Sequence, residues 1–206
     1  MRHDLKNLGF LEIICPTGES VAGGSQEWFP GRWERASGCG PTAASNLIWY
    51  MTRSRPGFHM LFDAGGGGKD NFVELMRELF VLIPPGIRGV NDPAIFTDGV
   101  IRFGAARSVT LTPRVLEIPS VFRKRPDIDS VGNFIISALQ ADSPVGFLNL
   151  SNGKLSNLEA WHWVTIIGLE SESMVATISD KGRKLDICLA EWLRTSILGG
   201  AMVYIT

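Results

Sequence analysis

The sequence predicts an α+β fold in which a central, cysteine-bearing helix packs on an antiparallel β-sheet. Three observations predict it. Helix-period segments occupy the middle of the chain, strand-period segments crowd its last third, and a helix opening at Cys39 is apolar on nearly every face. Such segregation of helices from strands differs from the strict β-α alternation of a doubly wound sheet. The 206 residues suit a single domain over 1–206, with a helical part at about 39–141 and a β-rich part at about 144–206.

Taken in order, Phe10 to Cys15 reads as a short strand, and Pro16 to Gly38 as a long loop punctuated by Gly23-Gly24 and Pro30-Gly31. Trp28, Phe29 and Trp33 give that loop apolar area to bury, so it is expected to be ordered and functional. From Cys39 to about Arg53, Ala43, Leu47, Tyr50 and Met51 form one stripe, with Ala44, Ile48 and Thr52 beside it. Pro41 fits the first turn, where an amide hydrogen has no intrahelical partner to lose.

A second helix is expected over Phe72 to Ile83, ended by Pro84-Pro85, and a third after the start signal Asn91-Asp92-Pro93. Val109 to Ile118 is β-rich. Val131 to Leu139 reads as a helix capped at Asp129-Ser130, and Val145 to Leu150 as a strand. Strands follow at Trp161 to Leu169, Met174 to Ser179, Lys184 to Cys188 and Ala201 to Ile205, with a short helix near Ala190 to Leu198.

Charge narrows the function classes. With 20 basic and 21 acidic residues there is no electrostatic basis for a nucleic-acid or anionic-membrane partner. No window supplies the ~18 consecutive apolar residues of a spanning helix, so no membrane insertion is expected. The apolar run from Leu8 to Cys15 is too short and too interrupted by charge for an export signal. Cys15, Cys39 and Cys188 are odd in number and lack a CxxC pair, which argues against disulfides and zinc and fits a reducing cytoplasm. His3, His59 and His162 form no metal-binding spacing, and no cofactor is expected. The oligomeric state is not legible.

Cys39 lies in Ser37-Gly38-Cys39-Gly40-Pro41, where a loop turns into the central helix. A helix N-terminus carries partial positive charge and favours an anionic sulfur. A buried cysteine filling a small gap would occupy the same place. His162, in Trp161-His162-Trp163-Val164-Thr165, shares a strand face with Val164 and Ile166. It reads either as a core histidine or as a general base for a thiol. His3 is terminal and His59 follows the turn Arg55-Pro56-Gly57, so a base, if there is one, is His162. Asp180, just before Lys181-Gly182, reads as a hairpin-turn residue that also reaches the imidazole from the next strand.

GCGPTAASNLIWY, followed at long range by WHWVTIIGL and ISDKG, resembles the papain-like cysteine peptidases, in particular the branch of bacteriocin-processing, double-glycine leader peptidases. The resemblance implies a papain-like cysteine proteinase fold and a catalytic set of Cys39 as nucleophile, His162 as base and Asp180 as its orienter. It also implies an upstream glutamine in the oxyanion hole, for which Gln26 is the candidate. Gln26 stands thirteen positions before Cys39, a wider gap than the resemblance implies, so either Phe29 to Ser37 loops out or Gln26 is simply a polar loop residue. The substrate is then a peptide or protein whose amide bond is hydrolysed through a thioester. Two alternatives use the same fold: an acyltransferase that passes the thioester to another nucleophile, and a non-catalytic peptide-binding module with the tryptophan-rich loop as its surface.

Other motifs carry less. Gly65-Gly66-Gly67-Gly68-Lys69 lacks the first glycine and the Ser or Thr of a phosphate loop and reads as a flexible loop. Arg123-Lys124-Arg125 reads as a solvated turn, and Cys15 and Cys188 as core residues. Gly23-Gly24 resembles a leader-type cleavage site, but cutting there would sever the loop that carries Gln26.

Overall fold

The computed structural model describes residues 1–63 and 67–206. Its elements in chain order are β1 (Arg2–Asp4), β2 (Glu12–Ile14), β3 (Ser20–Ala22), α1 (Arg32–Ser37), α2 (Cys39–Ser54), α3 (Lys69–Leu82), α4 (Pro93–Ala105) and β4 (Pro113–Ile118). There follow α5 (Ile128–Gln140), β5 (Val145–Asn149), β6 (His162–Glu170), β7 (Val175–Asp180), β8 (Arg183–Cys188), α6 (Leu189–Thr195) and β9 (Gly200–Ile205). The architecture is α+β with an antiparallel sheet, as the sequence predicts.

The main sheet runs β4-β9-β5-β6-β7-β8, all antiparallel, and β1 adds to β6 beyond the end of β5. The sheet is therefore not confined to the last third of the chain. β4 lies in the β-rich stretch Val109 to Ile118, within the otherwise helical part, and pairs along its whole length with β9, while β1 comes from the N-terminus. Alternation along β6 sends Trp163 into the apolar cluster built around α2, and Val164 and Ile166 into a second cluster with α5 and α6.

Helix α2 is buried from Cys39 to Thr52, as its all-round apolar sequence requires. It packs between α3 and the sheet strands β5 and β6. Its far end is held by Tyr50, whose hydroxyl donates to Asp142 Oδ1 at 2.7 Å and accepts from the Asn7 amide. Burial and the Asp142 carboxylate push the Tyr50 phenol well above its ordinary value.

Several local expectations change. The Pro16 to Gly38 stretch is not one loop: β3 pairs with β2, a 3₁₀ turn covers Gln26–Trp28, and α1 follows. Phe29 to Ser37 thus forms mostly α1 instead of looping out, and Glu34 Oε2 secures its start by accepting the Gly31 amide at 2.7 Å. Helix α5 begins earlier than expected because Asp127, not Asp129 or Ser130, is the cap, accepting the Ser130 amide at 2.7 Å. Asp92 caps α4 at the expected start. Cys15 and Cys188 sit at strand ends and are half-buried, so neither is a core residue. Gly65 and Gly66 of the glycine run lie outside the described residues, while Gly68 is the N-cap of α3. Arg125 is not simply solvated: it donates to the carbonyls of Pro119, Ser120 and Leu193 and stacks on Phe122.

Among the described residues no helix is long and apolar enough to cross a membrane.

Candidate active site

Gly38 decides where Cys39 sits. It separates α1 from α2, and a Cβ there would collide with the Phe29 ring and the Glu34 carbonyl, so the two helices meet only because the residue has no side chain. Cys39 is then the first residue of α2 and is 6% exposed. Gly40 is equally constrained, since a Cβ would press on Val90 at 2.8 Å. Pro41 Cα follows in the first turn, as expected.

His162 opens β6 opposite Asn149 of β5 and is 5% exposed. Asp180 closes β7, and the β7–β8 connection is the two-residue Lys181-Gly182 turn with φ of 49° and 77°. Two consecutive positive φ values give a tight hairpin whose twist matches the strands, and this sets Asp180 at the strand end. Its Oδ1 accepts from His162 Nε2 at 2.8 Å. A carboxylate has no hydrogen to give, so the Nε2 hydrogen lies toward Asp180 and Nδ1 is left for the sulfur. Both readings of Asp180 hold together: it is a turn residue and a partner of the imidazole.

The electrostatics of the imidazole reflect burial and two neighbours. Burial alone lowers its pKa, but the hydrogen bond to Asp180 and the interaction with the Cys39 sulfur outweigh burial, and the value rises from 6.5 to about 10. Cys39 and His162 line the same cleft, of about 560 Å³, together with Gln26, Ser37, Arg88, Glu159 and Trp161. His3 lies in β1 and His59 in an exposed turn, so His162 is the one histidine at this cleft.

Gln26 reaches the same place. It opens the 3₁₀ turn after Ser25, which caps that turn by accepting the Glu27 amide, and it faces Cys39 across the cleft. Its Nε2 donates to the Arg35 carbonyl at 2.7 Å, and its Oε1 is buried without a hydrogen-bond partner among the described residues. The tryptophan-rich segment is divided: Phe29 is 1% exposed and the half-buried Trp28 packs edge-on against Phe72, whereas Trp33 is 52% exposed.

Sequence reasoning missed the side chains that hold these four in place. Asn46 on α2 is buried; its Oδ1 accepts the Gly24 amide at 2.8 Å and its Nδ2 donates to Thr165 Oγ1 at 3.0 Å. Ser179 Oγ donates to the Ala22 carbonyl at 2.5 Å. Gly23, at φ 80°, fits against both, and a Cβ there would strike Ser179 Oγ and Asn46. The Gly23-Gly24 pair is thus a buried packing device. Asn149, opposite His162, donates to the Glu159 carbonyl and accepts from Trp192 Nε1 at 2.7 Å, fixing the segment that leads into His162. A lone amide such as Asn46 on a helix apolar all round was the available signal, because a buried amide must find partners.

Among the described residues no group of three or more His, Cys, Asp or Glu side chains is placed to hold a metal.

No protein-family profile matches the chain, and no curated protein matches it at a significant level. Among solved structures it is similar to the Pseudomonas avirulence protein AvrPphB, with a TM-score of 0.35 and 11% identity, over 83% of this chain and 92% of that one. At that identity and TM-score the likeness is too coarse to transfer a site or an activity.

Proposed function

We propose that this chain is a papain-like cysteine peptidase that hydrolyses peptide amide bonds through a Cys-His-Asp site and an acyl-thioester intermediate. One observation carries the reading: a sulfur at the first position of a buried central helix shares a cleft with an imidazole whose other nitrogen is bonded to Asp180. A core histidine satisfied by a carboxylate does not need a cleft, a thiol and a glutamine converging on it.

In this reading His162 takes the Cys39 proton on Nδ1, and the sulfur attacks the substrate carbonyl carbon. The carbonyl π pair becomes an oxyanion, held by a Gln26 Nε2 hydrogen and the Cys39 amide. As the tetrahedral adduct collapses, the C–N bond breaks and the imidazolium protonates the leaving amine, leaving a thioester. His162 then deprotonates a water that attacks the thioester; the C–S bond breaks, the acid product leaves and the thiol is restored. Asp180 holds the imidazole in the tautomer that each step uses and stabilises its charged form. Assignment to the bacteriocin-processing branch is supported by GCGP, WHWVT and ISDKG alone.

The test uses a chain carrying Cys15→Ser and Cys188→Ser, because both of those thiols are half-exposed and would react on their own. A thiol-reactive active-site probe should label Cys39 in that chain, and Cys39→Ala should abolish both labelling and peptide hydrolysis. His162→Ala should slow labelling by about 10²-fold or more, the scale expected for loss of a paired base. Undiminished labelling in Cys39→Ala overturns the assignment.

A further inference from the structure

The geometry points to Arg88 as a specificity residue that recognises a carboxylate on the peptide bound beside Cys39. This rests on the peptidase reading for its substrate class, but its own evidence is the structure of the cleft walls.

Arg88 sits at the tip of a tight hairpin between α3 and α4. Gly86 and Gly89 exchange both backbone hydrogen bonds, at 3.1 and 2.9 Å, and Gly89 has φ 67°. The hairpin is anchored at its exit: Val90 is buried against Gly40, beside Cys39, and its carbonyl accepts from Trp163 Nε1 at 2.6 Å. The tip is therefore held against the first turn of the cysteine-bearing helix, and the exposed Ile87 and Arg88 line the cleft.

Across the cleft the chain entering β6 supplies Trp161, with a left-handed backbone at φ 56°. That conformation is costly for a bulky residue and is maintained only where the surroundings impose it. Here it leaves the indole 37% exposed, with the Arg88 guanidinium 5.2 Å from its ring centroid. The two walls thus meet through one cation-aromatic contact on the cleft that Cys39 also lines.

Among the described residues Arg88 makes no ion pair and no hydrogen bond. The nearby carboxylate of Glu159 is engaged by Lys181 at 2.5 Å. A guanidinium laid on an aromatic face is desolvated on that face and keeps its edge donors free, the arrangement that suits a two-point bond to a carboxylate. The ligand is a carboxylate within a few residues of the scissile bond, either an Asp or Glu side chain or a peptide C-terminus.

The test measures peptide binding and turnover separately. Fluorescent peptides that differ only by Glu or Gln at successive positions, and by a C-terminal acid or amide, are titrated into Cys39→Ala and into Cys39→Ala with Arg88→Glu. The same peptides are offered to the wild-type chain as substrates. A carboxylate peptide should bind about tenfold tighter than its neutral twin in the first protein, as expected for a partly desolvated paired charge, and the preference should reverse in the second. The position that matters identifies a side chain or a terminus. Equal binding of charged and neutral twins, or a preference that survives Arg88→Glu, overturns the inference. A preference in binding without hydrolysis by the wild type would leave Arg88 as a carboxylate reader and remove the peptidase reading.

Discussion

Asn46 Oδ1 accepts the backbone amide of Gly24 at 2.8 Å, which ties the strand leading to Gln26 to the helix that begins at Cys39. About two helical turns separate Asn46 from Cys39, so one rigid element positions both the sulfur and the loop facing it. The other end of the amide reaches Thr165 on β6, the strand that begins with His162. Helix, loop and strand are joined by one side chain.

Asn46→Ala removes both bonds and leaves a buried Gly24 amide and a Thr165 hydroxyl without partners. The chain should lose about 1–3 kcal/mol of stability, the usual cost of unsatisfied buried groups, read as a lower urea midpoint at unchanged slope. Where the variant stays folded, kcat should fall more than KM rises, because the displaced group acts on the oxyanion and not on the bound ground state. A stability loss with unchanged kcat would show that Asn46 only supports the fold.

Gly23 and Gly18 offer a matched comparison. Both have positive φ, 80° and 85°, but a Cβ on Gly18 meets nothing within 4 Å, whereas one on Gly23 meets Ser179 Oγ and Asn46. Gly18→Ala should cost about 1–2 kcal/mol, the left-handed backbone penalty alone. Gly23→Ala should cost clearly more, with loss of activity, since relief requires moving Asn46 or the Gln26 loop. Equal thermal shifts for the two variants would contradict the packing role of Gly23.

Chemistry was more legible than support. Cys39 was readable because glycines and a proline mark a helix start, and Asp180 because Asp-Lys-Gly marks a turn; both are local signals. α2 was readable for the same reason, its buried faces being written in consecutive residues. β1 and β3 were not, because three-residue strands exist only through their partners: β1 needs β6, far away in sequence, and β3 needs the nearby turn back to β2. The sequence marks only the helix stop at Pro84-Pro85 and gives no element for the 86–89 hairpin that follows, although Gly86 and Gly89 flank a two-residue tip. Its place beside Cys39 depends on Val90 packing against Gly40, which no local pattern encodes.

The His162–Asp180 bond gives a pH dependence of defined sign. The imidazole pKa is raised from 6.5 to about 10 in the fold, against a burial effect that alone would lower it. A proton held more tightly in the folded state stabilises it fully below about pH 6.5, and that stabilisation drains away as pH rises toward the folded value. Asp180→Asn removes the main group that raises the value, so an NMR titration should find the His162 transition at lower pH than in the wild type. The wild type should also exceed Asp180→Asn in melting temperature at pH 6, by a margin that narrows by pH 10. Lys181, next to Asp180 and paired with Glu159, stays charged across this range and leaves the sign unchanged. A His162 transition that does not move in Asp180→Asn would remove Asp180 from the site.

Gln26 separates a fold role from a chemical one. One Nε2 hydrogen goes to the Arg35 carbonyl at 2.7 Å, which leaves the amide a second hydrogen to donate, and Oε1 is buried without a partner among the described residues. Gln26→Ala removes the unmatched atom with the donor, so stability should change little while kcat falls about 10²-fold at nearly constant KM, the pattern of a lost oxyanion donor. Gln26→Glu keeps the shape but sets a carboxylate toward the developing negative charge, and its kcat should fall at least as far. If both variants turn over peptide at the wild-type rate, the oxyanion donor must be sought elsewhere along the cleft, with Gln26 reduced to a tie between the 3₁₀ turn and α1.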